Sequence, residues 1–229
     1  MIIPISTALT TANHTAMTTD AALILQQWFS PGFPVGAYAY SHGLEHVIDT
    51  GGITGIDDLR DWLRDLIAFG GGAADITLLA ASYRAKKPDV ADIDGAARAF
   101  AASADRLLET TQQGSAFART VDAIWQTNIG SLTYPVAVGQ AARIHDLPLD
   151  LTTRMYLHAF AANLISAAVR LVPLGQTEGQ ALLAELGPLI AEISTEARDR
   201  DLCDLAGHCF AADIAAMRHE TQYSKVFRT

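Results

Sequence analysis

The sequence predicts an all-α protein, folded as a single-domain bundle of helices. Apolar residues recur along nearly the whole chain at the i, i+3, i+4, i+7 spacing that forms one helix face. Alanine, which has the highest helix propensity, dominates many stretches. Strand signals are nearly absent, since no sustained alternation of apolar and polar residues occurs. A length of 229 residues suits one domain.

Turn-forming residues bound the first two predicted helices. One helix is expected from a cap at Asp20 to about Phe29, because Pro31 and the residues that follow prevent its continuation. Asp57 is expected to cap the next helix, and the glycines at 70–72 to end or kink it. The apolar face of this second helix consists of Leu59, Trp62, Leu63, Leu66 and Ile67.

Prolines predict the boundaries of the later helices, because proline fits the first turn of a helix but not its interior. These boundaries are marked by Pro88, Pro135, Pro148, Pro173 and the Gly187–Pro188 pair. Between Pro148 and Pro173 the helix is small or apolar on almost every side. Such a helix is expected at the centre of the bundle, fully enclosed by the others. Polar residues interrupt its apolar run at residues 155–174, which favours a buried helix over a membrane span.

Charge and composition narrow the classes of partner. The formal net charge is -9 and the pI about 5.1, which argues against binding to nucleic acid or to an anionic membrane. Half of the residues are apolar, with a mean hydropathy of +0.18, so we expect apolar surface for a partner or for self-association. Two cysteines are too few for a disulfide framework and suggest reduced thiols in the cytoplasm.

Two groups of residues could bind a metal. His42, Glu45 and His46 form an H-x-x-E-H pattern, which would suit a small helical zinc hydrolase if both histidines stood one turn apart on a helix. The alternative is a helix start with incidental histidines. Cys203, His208 and Cys209 form the second group, but their spacing is not that of a standard zinc pair, so two half-buried cysteines are the favoured interpretation.

Nucleotide and acyl-transfer motifs are missing. The sequence has no G-x-x-x-x-G-K-[ST] phosphate loop, no G-x-G-x-x-G after a strand and no G-x-S-x-G elbow. We therefore expect no nucleotide hydrolysis by the chain itself, and no bound cofactor.

Two segments differ from ordinary core or solvent-facing sequence. Residues 33–46, FPVGAYAYSHGLEH, combine glycines with two tyrosines at a loop-to-helix junction, which suits contact either with another protein or with the chain's own bundle. Residues 218–229, RHETQYSKVFRT, form a cationic end in an acidic chain. Tyr223 and Phe227 would share one face if this end became helical, so it could fold on binding a partner or remain an inert frayed end.

These two segments resemble the N-terminal signature and the C-terminal ending of the UreF family. Residues 170–176, RLVPLGQ, resemble an internal marker of the same family. The three motifs occur in family order, and the resemblance covers nearly the whole chain from about Leu23. It implies a helical domain at 19–217 and a partner-binding tail at 218–229. The N-terminus at 1–18 is rich in threonine and alanine and aperiodic, so we expect a flexible tail there.

Membership would imply an all-α homodimer that acts as a non-catalytic scaffold in urease maturation. UreF proteins bind the accessory protein UreD, called UreH in some organisms, and through it the GTPase UreG, whose activity they regulate. The assembly docks on apo-urease and delivers nickel. The resemblance places partner-binding residues at Pro34, Gly36, Tyr38, Ser41, Gly43, Leu44, Glu45, Arg218, His219, Glu220, Thr221, Gln222, Tyr223, Ser224, Phe227 and Arg228.

Overall fold

The computed structural model describes residues 20–228, and this part of the chain is helical without strands, which confirms the all-α prediction. The N-terminal tail predicted at 1–18 lies outside the described residues. Helix α1 covers residues 20–28. The helices that follow are α2 (Leu44–Asp49), α3 (Ile56–Phe69), α4 (Gly71–Arg84), α5 (Val90–Phe100), α6 (Ala104–Trp125), α7 (Tyr134–Ile144), α8 (Leu149–Leu171), α9 (Gln176–Glu185), α10 (Gly187–Ala197) and α11 (Phe210–His219).

Most predicted boundaries are confirmed. Pro135 lies in the first turn of α7, and Pro148 is the N-cap of α8. Leu186 separates α9 from α10, and Gly187 is the first residue of α10. The predicted cap at Asp57 is wrong. Gly55 occupies the N-cap of α3, and the carboxylate of Asp58 reaches back to accept hydrogen bonds from the Thr54 amide at 2.9 Å and its hydroxyl at 2.8 Å. An acidic residue at the third helical position satisfies the groups before the helix better than one at the second.

Two helices share the centre of the bundle. Helix α8 packs against α2, α3, α4, α7, α9 and α10, as predicted for a central helix. It is not fully enclosed, however, because Arg154, His158, Ser166 and Arg170 form an exposed strip along it. Helix α4, which is rich in glycine and alanine, has buried residues on all sides, and so does its neighbour α7. The small residues of α8 therefore predicted close packing against other helices. They did not show that one side of this helix would be exposed.

The packing of α4 on α7 depends on a glycine. A β-carbon built on Gly139 of α7 would lie 2.4 Å from the Leu79 carbonyl oxygen and 3.0 Å from the Ser82 β-carbon of α4. At the same crossing, the Ser82 hydroxyl donates a hydrogen bond to the Val136 carbonyl at 2.8 Å. The two helix backbones thus approach more closely than any larger residue would allow.

One run in the described chain is long and apolar enough to be compared with a membrane span. It joins α3 and α4 as Ile56–Arg84, and 72% of its most apolar window is buried inside the protein. Gly70 breaks the run, with φ -111° and ψ -144°, and the two helices pack on each other. Its apolar side chains are thus accounted for by contacts within the bundle.

Replacing Gly139 by alanine should destabilise the protein. The new methyl group would force α4 and α7 apart, at a cost of about 1–3 kcal/mol. Thermal unfolding followed by circular dichroism measures this as a lowered midpoint. Gly95→Ala is the matched control, since Gly95 lies in α5 with no atom within 4 Å of its added β-carbon. That control should gain about 0.4–1 kcal/mol; equal shifts in the two variants would contradict the role given to Gly139.

Candidate partner-binding surface

Residues 33–46 form a tight corner ahead of α2. Gly36 has a left-handed backbone, with φ 73°, and starts a short 3-10 turn at Ala37–Ala39. The two tyrosines of the corner then point in different directions. Tyr38 is 67% exposed, whereas Tyr40 is buried and donates a hydrogen bond from its hydroxyl to Oε1 of Gln112 at 2.8 Å. Packing on the bundle is therefore confirmed for Tyr40, while contact of this segment with another protein stays a prediction, for which Tyr38 is exposed.

A close backbone contact joins the corner to α11. Gly43 has φ 78°, which favours glycine, and a β-carbon there would lie 2.6 Å from the Ala216 amide nitrogen. The preceding His42 also has a positive φ of 55°, an uncommon conformation for a residue with a side chain. Two successive left-handed residues turn the chain sharply, so that α2 begins at Leu44 directly against the last helix of the fold.

Glu45 is the residue that joins the corner to the C-terminal tail. Its side chain is buried and accepts hydrogen bonds from the backbone amides of Val226 at 2.6 Å and Phe227 at 2.9 Å. Nε2 of His219, which is fully buried, lies 3.1 Å from the same carboxylate. One carboxylate thus satisfies three groups that lie more than 170 residues further along the chain.

The far end of the tail lies on the corner. The Phe227 ring is buried, with the Arg170 guanidinium 5.9 Å from its centroid. The Arg228 amide donates a hydrogen bond to the Ala39 carbonyl at 2.7 Å. These contacts account for the non-helical conformation of the tail, because its amides are paired with the corner instead of with a helix.

The beginning of the tail is held by α6. Helix α11 continues through His219, one residue past the predicted boundary at 218. His219 contacts Asp105 at 3.5 Å, and the Glu220 carboxylate accepts a hydrogen bond from the Ala104 amide at the start of α6. The Lys225 ammonium lies 3.8 Å from Asp105.

The shared helical face suggested for Tyr223 and Phe227 is not formed. Residues 220–228 are not helical; Tyr223 is fully exposed and Phe227 is buried.

The residues that the resemblance assigned to partner binding divide into two groups. Those with exposed side chains are Pro34, Tyr38, Arg218, Glu220, Thr221, Tyr223, Ser224 and Arg228, while Gly36 and Gln222 are half-buried. Those that hold the surface together from inside are Ser41, Gly43, Leu44, Glu45, His219 and Phe227. The structure brings both segments into one continuous surface, which the order of the sequence alone does not reveal.

A buried charged cluster lies beneath the corner, and sequence reasoning missed it. Glu109 of α6 contacts Nε2 of His42 at 3.0 Å, forms an ion pair with Arg106, and accepts a hydrogen bond from the Gln113 amide at 2.9 Å. Burial alone would raise the pKa of Glu109. The charges of Arg106 and His42 outweigh burial and lower that pKa to about 2.

Asp75 of α4 belongs to the same cluster but has the opposite shift. Burial raises its pKa more than the Arg106 guanidinium, 4.0 Å away, lowers it. Its Oδ2 accepts a hydrogen bond from the Tyr156 hydroxyl at 2.8 Å. Burial next to this carboxyl raises the pKa of Tyr156 well above its ordinary value, so that hydroxyl remains a donor.

Neither predicted metal group is assembled as a metal site. His42 precedes α2 and faces Glu109, so it does not share a helix face with His46, and Glu45 is occupied by the tail. Cys203 is exposed on the turn at Leu202–Asp204, whereas Cys209 is buried. Across residues 20–228, no three His, Cys, Asp or Glu side chains are grouped so that they could hold a metal ion.

Comparison with known proteins gives consistent matches. A family model described as UreF matches residues 53–187. The urease accessory protein UreF of Roseobacter denitrificans is 63% identical over 213 residues, covering 93% of this chain and 96% of that protein. The protein of the same name in Ruegeria sp. is 54% identical, covering 93% of this chain and all of its own length. The one in Rhodopseudomonas palustris is 43% identical, with 90% of each chain covered.

Glu45→Gln should release the tail. A glutamine offers one oxygen but also presents an amide group to the tail N–H donors, and each donor left unpaired costs about 1–3 kcal/mol. Hydrogen exchange of the Val226 and Phe227 amides should quicken by about tenfold or more. Glu178→Gln is the control, because the Glu178 carboxylate also accepts a hydrogen bond from a backbone amide, that of Gly175 at 2.7 Å, but does so on the exposed surface of α9. Unchanged exchange in Glu45→Gln would show that the tail is held by other contacts.

The Glu109→Gln variant should be less stable than the wild type at neutral pH, but not at strongly acidic pH. The folded-state pKa of Glu109, about 2, lies below that of an unfolded glutamate, so its ionised form stabilises the fold at neutral pH. The free energy of unfolding of the wild type should exceed that of the variant by on the order of 3 kcal/mol above about pH 5. This difference should vanish as the pH falls toward about 2. Denaturant titrations at a series of pH values measure it, with exposed Glu192→Gln as control. A difference independent of pH would contradict this assignment.

Proposed function

Because the chain belongs to the UreF family of urease accessory proteins, we propose that it works as a non-catalytic adaptor in urease maturation. It would bind UreD, known as UreH in some organisms, and through that complex recruit the GTPase UreG to apo-urease. Nickel is the cargo of this assembly, and GTP hydrolysis by UreG would drive its insertion. We further propose that the adaptor regulates UreG, and that it acts as a homodimer in the cytoplasm.

The joined corner and tail support this role more than any other feature. Tyr38 of the corner and Tyr223 of the tail are exposed aromatic residues on two segments that the Glu45 carboxylate holds together. Tyrosines are frequent anchors at protein interfaces. Segments already ordered by buried contacts also lose little conformational entropy on binding. The surface is therefore suited to recognising folded partner proteins.

Charge and apolar exposure point to additional contacts. Arg218, Lys225 and Arg228 give the tail a positive charge within a chain of net charge -9, which would favour an acidic partner surface there. Helix α11 carries Phe210, Ile214 and Met217 on its outer face, each about half or more exposed. Apolar residues at this spacing form one stripe, which supports burial against a partner or a second copy of the chain.

We assign the tail to UreD and the corner to UreG, and two substitutions test this division. Tyr223→Ala should weaken capture of UreD by about thirtyfold, the typical loss when an interface tyrosine anchor is truncated. Tyr38→Ala should leave UreD capture intact and reduce recruitment of UreG by the complex. Both side chains are exposed, so neither change should alter folding. Purified proteins and biolayer interferometry provide the affinities.

Phe69→Ala is the matched control for both variants. Phe69 is 56% exposed, at the end of α3 and outside the corner and tail. The Phe69→Ala variant should bind UreD and recruit UreG as the wild type does. Wild-type affinity of Tyr223→Ala for UreD would remove the tail from the proposed adaptor surface, and unchanged recruitment of UreG by Tyr38→Ala would remove the corner. Equal losses in all three variants would remove both.

A further inference from the structure

A cleft of about 380 Å³ opens between α1, the corner and the outer strip of α8. Its volume falls within the range of small-molecule sites. Aromatic rings in mutual contact line it: the Tyr156 centroid lies 5.9 Å from that of Phe29 and 5.4 Å from that of Tyr134. Phe160 lines it as well, in edge contact with His42 at 4.8 Å. Aromatic rings with convergent polar groups are typical of a binding site.

The cleft is lined by charged side chains that are compensated unequally. Asp75, Arg106, Glu109 and His42 line it, as does the exposed Arg170 of α8. Arg106 is in direct contact with Glu109, whereas its guanidinium is 4.0 Å from Asp75. The hydrogen bond to Asp75 comes instead from the neutral Tyr156 hydroxyl. Asp75 is thus a buried carboxyl that the neighbouring cation compensates only in part, which is costly in a low-dielectric setting.

We propose that this cleft binds a flat organic cation of the amidinium or guanidinium class, whose charge pairs with Asp75 and whose body packs among Phe29, Tyr156 and Phe160. A planar cation matches a carboxylate through two parallel hydrogen bonds, and aromatic faces attract it further. An anion would lie against the Asp75 carboxylate, and a neutral molecule would leave the charge of Asp75 compensated only in part. A free aromatic cation and the arginine side chain of another protein offer the same chemistry. Binding to the isolated chain does not require the adaptor role.

The ionisation of Asp75 gives the site a characteristic pH dependence. Burial raises the pKa of Asp75. As the pH falls, a growing fraction of the molecules therefore carries a protonated, neutral Asp75, and a cation that binds there has to displace its proton. The groups around it are Arg106, Tyr156, His42 and Glu109. Arg106 and Glu109 keep their charges and Tyr156 stays neutral. Binding should therefore tighten as the pH rises.

Calorimetric titration of the full chain with benzamidine tests the proposal. We expect one site with a Kd below about 1 mM, as suits a ligand of this size, and tighter binding as the pH rises. Benzamide and benzoate have nearly the same shape without the positive charge, and neither should give saturable heat. Benzamide binding as tightly as benzamidine, or no saturable binding of any cation, would overturn the proposal. These measurements need no variant.

Two substitutions locate the cation. Asp75→Asn keeps an oxygen for the Tyr156 hydroxyl and should weaken benzamidine binding by at least about tenfold. Asp213→Asn is the control, because Asp213 also has a pKa raised by burial but lines only the neighbouring cleft beside α11, which Asp75 lines as well. Wild-type affinity in a folded Asp75→Asn, or the same loss in Asp213→Asn, would overturn the assignment.

N-acetylarginine amide distinguishes the two sources of the cation. Tighter binding of this compound than of benzamidine would assign the cleft to an arginine of a partner protein. Tighter binding of benzamidine would assign it to a free aromatic cation. Each of these outcomes supports the site, and failure of both compounds to bind overturns it.

Discussion

The surface formed by the corner and the tail depends on the buried carboxylate of Glu45. Two amide groups of the tail and one imidazole converge on its oxygens, within 2.6–3.1 Å. Buried N–H donors are costly when unpaired, so the carboxylate supplies what a helix or sheet would normally provide. Because Glu45 belongs to the first turn of α2, the position of the corner also fixes the position of the tail. The two segments therefore behave as one structural unit.

A second set of buried charges supports the corner from below. Glu109 takes hydrogen bonds from His42 and Gln113 and pairs with Arg106, so its charge is well compensated. Asp75 is compensated less well, and burial raises its pKa. Two carboxyl groups a short distance apart thus have opposite shifts for a physical reason: one is surrounded by donors, and the other lies mainly against a neutral hydroxyl.

Helix positions could be predicted from the sequence, whereas contacts between distant segments could not. Proline and glycine act locally, so Pro135, Pro148 and Gly187 marked real boundaries. The cap of α3 was misplaced because Asp57 and Asp58 look alike in sequence and only geometry selects between them. The resemblance brought both binding segments to attention, but not Glu45 as the link between them. Arg106 and Glu109 were missed because an i, i+3 ion pair usually marks a solvent-facing helix side.

The contact between Glu45 and Phe227 joins residues 182 positions apart in the chain. Such a long closure forms only after the intervening helices have brought its ends together. During synthesis the corner emerges from the ribosome 182 residues ahead of Phe227, whose amide helps to complete the hydrogen bonds of Glu45. A chain without the tail would retain α2 and Tyr38 but lack the segment that packs on them. The corner therefore reaches its final conformation only after residues 226 and 227 have been made and have docked on it.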